Sequence, residues 1–164
     1  MMDIEEFLPH FESVRRRTRA LAECIPPERI EWSDIEGRFT PGDLVRHIAA
    51  SERWMWAENA QLRPSRYPGH GPDLAKGKPE VLAYLDRMHA ETVEILSALS
   101  PQDLEARCPT PGGIELRVWK WLRLMLEHEI HHRGQLYEVL GRLGVSTPPL
   151  YGLTEPQVKE RSEA

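Results

Sequence analysis

Three histidines stand together in the run Glu127-His128-Glu129-Ile130-His131-His132-Arg133-Gly134-Gln135. On a helix turning about 100° per residue, His128 and His132 fall one turn apart on one face, with His131 close beside them. Imidazoles at that spacing can share a divalent cation. The same face carries Trp121, Leu124, Met125, Leu136, Val139, Leu140 and Leu143, which predicts that the pair looks inward. A buried imidazole must find a partner for each ring nitrogen or lose about 1–3 kcal/mol of hydrogen bonding. A cation meets that need, and so does an ordinary hydrogen-bond network; an HxxxH pair by itself does not choose between them.

A third inward histidine strengthens the metal reading, and the second helix supplies one. Thr40-Pro41-Gly42-Asp43 gives a threonine N-cap, a proline at the first helical position and an acid in the first turn, so a helix starts there and runs to about Leu62. Its inward positions are Leu44, His47, Ile48, Ser51, Trp54, Met55 and Glu58, which places His47 on a buried stripe. Glu58 also sits on that stripe, close enough to the helix end for water to solvate it.

Three neutral imidazoles suit Zn²⁺, Ni²⁺ or Fe²⁺ better than Ca²⁺ or Mg²⁺, which prefer oxygen. Three protein ligands leave coordination positions open, the mark of a catalytic rather than a structural site. An open position can lower the pKa of a bound water towards ~7 or hold a thiol as thiolate. Spacing leaves both routes open, and it assigns no catalytic residue or general base.

The remaining elements must position these rings. From Asp3 to Ile25, Phe7, Phe11, Val14, Thr18, Leu21 and Ile25 recur at helical spacing, with Pro9 tolerated near the start or kinking the helix, and Pro26-Pro27 ending it. Residues 63–77, with Pro64, Pro68, Gly69, His70, Gly71 and Pro72, read as a long surface loop, either a lid over the site or a plain crossover. Pro79 opens a third helix whose stripe is Val81, Leu82, Leu85, Met88, Thr92, Ile95, Leu96 and Leu99, with His89 at its border or on the surface. Residues 100–116 connect to the long fourth helix, Trp119 to Leu143, closed by Gly144; a short capped helix can follow from Thr154. With no alternating strand pattern, the expectation is an all-α, four-helix bundle, a fold that builds its sites from side chains on facing helices.

The 164 residues suit a single domain spanning 1–164. A net charge of −5 and a pI near 5.8, with no basic cluster, argue against nucleic acid or an anionic membrane as partner. The Arg15-Arg16-Arg17 run is short and has Glu5, Glu6 and Glu12 nearby. Cys24 and Cys108 form no CxxC pair and read as small buried hydrophobes. Without a basic and apolar leader at Met1 or an apolar run of about 20 residues, the expected setting is soluble and cytoplasmic.

Two stretches, Asp43-Leu44-Val45-Arg46-His47-Ile48 followed by Glu52-Arg53-Trp54, and His128-Glu129-Ile130-His131-His132-Arg133-Gly134-Gln135-Leu136, together resemble the DinB/YfiT-like superfamily of bundles, over nearly the whole chain. The resemblance implies a four-helix bundle, often a homodimer, with a divalent metal held by His47, His128 and His132, and His131 as a neighbour supporting a ligand or facing substrate. Members of known activity look like thiol-dependent transferases or isomerases, in which the metal activates a low-molecular-weight thiol such as bacillithiol or mycothiol for attack on an electrophilic small molecule. Arg133 and Gln135 are candidate positioning groups; the alternative pairs Arg133 with Glu129 or Glu138 on the surface and leaves Gln135 bonding within the core. Trp54, Trp56, Trp119 and Trp121 either serve a dimer contact or finish the core. Three functions follow: a metal-dependent thiol S-transferase, a hydrolase using bound hydroxide, and a non-enzymatic metal-binding or dimeric scaffold.

Overall fold

The computed structural model describes residues 3–162; the outermost residues of the expected domain, 1, 2, 163 and 164, lie outside the described residues. Helix α1 (Ile4–Glu23) starts at Asp3, whose carboxylate accepts from the Glu5 N–H at 2.8 Å. Pro9 lies inside it on the exposed side, where the freed carbonyl of Glu5 can turn to water, and the helix runs on. Helix α2 (Pro41–Ser51) opens with a capping box in which the Thr40 hydroxyl accepts from Asp43 N–H at 3.0 Å and the Asp43 carboxylate accepts from Thr40 N–H at 3.1 Å.

The second helix does not continue as a plain α-helix. It widens into a π turn over Glu52–Trp56 before a last α turn, Ala57–Ala60. A π turn inserts one residue and shifts every later side chain by about one position around the axis. The inward place that straight helical arithmetic gives to Trp54 and Met55 therefore passes to Trp56, which is buried while those two are half-buried.

Helix α3 (Gly77–Ser97), starting two residues before Pro79, buries Val81, Leu85, Met88, Thr92 and Leu96 of the expected stripe; Leu82 and Ile95 are half-buried, and Leu99 is half-buried just past the helix end. His89 is a correction: it is buried, not a border or surface residue. The connection to the last long helix also differs from expectation, because it contains a short helix α4 (Pro101–Glu105) and an antiparallel hairpin, β1 (Arg107–Pro109) with β2 (Glu115–Arg117), paired Cys108 to Leu116. Strands of three residues are too short to show alternation. Helix α5 (Val118–Arg142) ends as predicted, with Gly144 at φ +70° and Val145 N–H donating to the Leu140 carbonyl at 2.9 Å. Leu124, expected inside, is exposed. Helix α6 (Glu155–Ser162) buries nothing.

Four long helices make the bundle. α1 and α2 each pack on both α3 and α5 and so lie diagonally opposite. Two apolar clusters fill the interior, one around Leu21, Ile48, Leu85 and Leu136, the other around Phe11, Trp56, Leu96 and Leu122. Between them along every helix runs a polar layer: Arg15 and Thr18 on α1, Ser51 and Glu52 on α2, His89 and Thr92 on α3, Glu129 and Arg133 on α5. Across the centre Arg15 pairs with Glu52 and, at 3.1 Å, with Glu129, while Thr18 donates to Glu129 at 2.5 Å. No helix among the described residues is long and apolar enough to cross a membrane.

Candidate metal centre

At the level of the polar layer, α2 and α5 bring His47, His128 and His132 together. One nitrogen from each ring lies within 4.8 Å of the others. Nε2 of His47 meets Nε2 of His128 head-on at 3.0 Å, and the His128 and His132 rings stand 4.3 Å apart. Among the described residues this is the one group of three metal-type ligands so gathered.

The outward nitrogens of His47 and His132 are tied down. Nδ1 of His47 lies 2.7 Å from the Tyr67 hydroxyl, and Nδ1 of His132 lies 2.7 Å from Oε1 of Gln135. A carbonyl oxygen can only accept, so His132 carries its proton on Nδ1 and turns the Nε2 lone pair inward. Tyr67 in turn lies 3.1 Å from Nδ1 of His70; a phenol that accepts from His47 and donates to His70 satisfies all three groups. Partners of this kind set ring orientation and tautomer in histidine metal sites.

Electrostatics keep the rings neutral. Burial first, then His132 and His70, pushes His47 down to about 4. Burial, with His132, His47 and His131 behind it, pushes His128 down to about 3. Burial also lowers His132, opposed by its bond to Gln135. Neutral imidazoles with convergent lone pairs fit a borderline divalent cation, and the donor set is nitrogen throughout.

Several neighbours were not legible as site residues. Phe39 packs against His47, His70 and His132 at ring distances of 5.4, 4.3 and 6.3 Å. Trp56 stacks on Trp121 at 5.1 Å and packs tilted by 48° against His128 at 4.6 Å, forming an aromatic floor. These two tryptophans finish the core. The loop before α3 does cover the site, but it is fastened: the buried Arg46 guanidinium donates to the His70 and Ala75 carbonyls at 2.7 and 3.1 Å and pairs with Asp43 and Glu31. The one signal available in the sequence is Tyr67 and His70 three apart in a Pro/Gly loop.

Of the remaining candidates, His131 is exposed and accepts from Gln135 Nε2 at 3.2 Å, so Gln135 links two histidines and is itself exposed instead of buried. Arg133 is buried, not paired with Glu129 or Glu138 on the surface, and donates to the Val14 carbonyl at 3.2 Å. Glu58 is 1 % exposed and held by Arg53 and Arg66 at 2.6 and 3.2 Å, away from the triad.

The comparisons agree with this architecture. The family model of the DinB superfamily matches residues 10–136, and the chain belongs to that superfamily. It is similar to the uncharacterized protein YjoA of Bacillus subtilis (strain 168), 26% identical over 92% of this chain and 97% of that one. The crystal structure of a DinB-like protein from Bacillus cereus ATCC 10987 superposes with a TM-score of 0.74 at 19% identity, covering 88% of this chain and 95% of that chain. TT2238, a four-helix bundle protein, superposes at 0.65 with 31% identity over 83% of this chain and 99% of that chain.

Proposed function

We propose that His47, His128 and His132 hold a divalent cation, and that the protein uses it to bring a low-molecular-weight thiol to attack on an electrophilic small molecule. The observation that carries this reading is the pair of outward hydrogen bonds, from His47 to Tyr67 and from His132 to Gln135, which aim nitrogen lone pairs at one point. A cation there supplies Lewis acidity, which favours the thiolate form of a bound thiol at neutral pH. Zn²⁺, Ni²⁺ and Fe²⁺ all suit the donor set.

One observation favours thiol transfer over hydrolysis. A hydrolytic route gains from a protein base that takes a proton from the bound water. The buried carboxylates of this layer, Glu52 and Glu129, are already committed to Arg15, His89 and Thr18. A thiol ionises far more readily than water, at about 8.5 against 15.7 when free, so a bound thiol releases its proton to solvent without a protein base. Tyr67, with its phenol raised to about 12 chiefly by burial, stays protonated and serves to orient.

Elemental analysis of protein purified without an affinity tag tests the metal, with His128→Ala as control. About one equivalent, lost in the variant, supports the centre. Single-turnover assays with a panel of thiols and an epoxide or alkyl halide test the reaction; a rate that ignores metal or thiol rejects it. Ester hydrolysis without thiol would favour the second route, and unchanged stability with and without chelator would favour a scaffold.

A further inference from the structure

A cavity of about 530 Å³ opens beside the triad, a size that suits a small-molecule ligand. Its inner wall is shared with the site: His132 and Gln135 stand at that end, and Phe39 separates the cavity from His47 and His70. Trp32, Leu44 and Val139 add an apolar wall, and Ser33, Asp34, Arg38, Glu138 and Arg142 complete the lining.

The charges at its edge are unequal in their commitments. Arg142 is paired with Asp34 and lies 3.5 Å from Glu138, so those three largely answer one another. Arg38 lines the cavity, is exposed, and has no ion-pair partner among the described residues. One unanswered guanidinium beside an apolar wall suits a monoanion, because Asp34 and Glu138 repel a second negative charge. A carboxylate matches the two-pronged guanidinium donor geometry and carries a single charge.

We propose that this cavity seats a small apolar carboxylate, its hydrocarbon body against Trp32 and Phe39, its anionic group on Arg38, and its far end presented at His132. As a statement of substrate class it rests on the metal-centre reading above; the binding itself does not require the metal.

The test is a ligand-detected NMR titration of metal-free and zinc-loaded protein, with 4-phenylbutyrate and hexanoate as probes beside their primary amides and 3-phenylpropyl phosphate. The carboxylates are expected to saturate, with the amides and the phosphate weaker by about tenfold. Arg38→Gln, at an exposed position that leaves the fold intact by circular dichroism, should bring carboxylate and amide within about twofold of each other. Val139→Trp, which fills the cavity, should weaken every probe. Equal binding of carboxylate and amide, a preference that survives Arg38→Gln, or no saturation below about 10 mM overturns the proposal. These results are read without turnover, so a protein that takes up no metal can still bind the carboxylates. One that binds no carboxylate can still hold metal and transfer thiols.

Discussion

Nδ1 of His47 lies 2.7 Å from the hydroxyl of Tyr67, a residue carried on the loop between α2 and α3. That bond is what aims His47 inward, since the one other hydrogen-bonding group near the same nitrogen among the described residues, Ser51 Oγ, lies 3.5 Å away. Tyr67→Phe removes the bond and keeps the ring. Loss of such an outer partner lowers metal affinity about 10–100-fold, and chelator competition measures it. Because Tyr67 is 38 % exposed, the melting temperature of the metal-free variant should barely move. An unchanged affinity would mean that the loop does not orient the ligand.

Metal should stabilise the fold as well as occupy it. Zn²⁺ at about a hundred times its Kd adds about 2.7 kcal/mol, or roughly 5–10 °C in melting temperature for a chain of this size. Differential scanning calorimetry with and without chelator reads the shift. His132→Ala, which removes a half-buried ring and one donor, should abolish it.

How much of this was legible in the sequence differs from residue to residue. His47, His128 and His132 are brought together as helical periodicity predicts, because both helices are long and each carries its histidine near an apolar stripe. The inward place falls on Trp56 and not on Trp54 or Met55 because a π turn is a choice between nearly equal backbone hydrogen-bond patterns, decided by tertiary packing and not by local composition. His89, Arg133 and Arg15 look like surface residues by type. They are buried because they answer one another's neighbours across the bundle: His89 donates to Glu52 at 3.1 Å, and Arg133 reaches a carbonyl on α1. Such partnerships join residues far apart in the chain, and no single helix displays them. Tyr67 and His70 belong to a loop whose path is set by Arg46, again a long-range contact.

The polar layer gives a stability prediction with an internal control. Arg15 is 4 % exposed and sits between Glu52 and Glu129. Arg15→Met leaves two buried carboxylates without their cation, a loss of about 3–5 kcal/mol by urea denaturation. Arg19→Met breaks only an outer pair with Asp86 and Glu23, and should change stability by less than about 1 kcal/mol. Similar values for the two would show that the layer is solvated in solution.

The same burial predicts the sign of the pH dependence for the metal-free protein. In the unfolded chain His47 and His128 take up protons near their ordinary value of 6.5; folded, they resist until about 4 and about 3, chiefly because burial disfavours the charged ring. Between those limits the unfolded state binds more protons, so the contribution of these two rings is intact above about pH 6.5 and falls as the solution is acidified. Denaturant midpoints measured between about pH 7 and about pH 5 should decline, and His128→Gln should flatten the decline by removing one of the two groups. Bound metal should steepen it, because protons then compete with the cation for the same nitrogens. A midpoint that rises on acidification would mean that the rings are charged in the folded protein, and a charged imidazole has no lone pair left to give a metal.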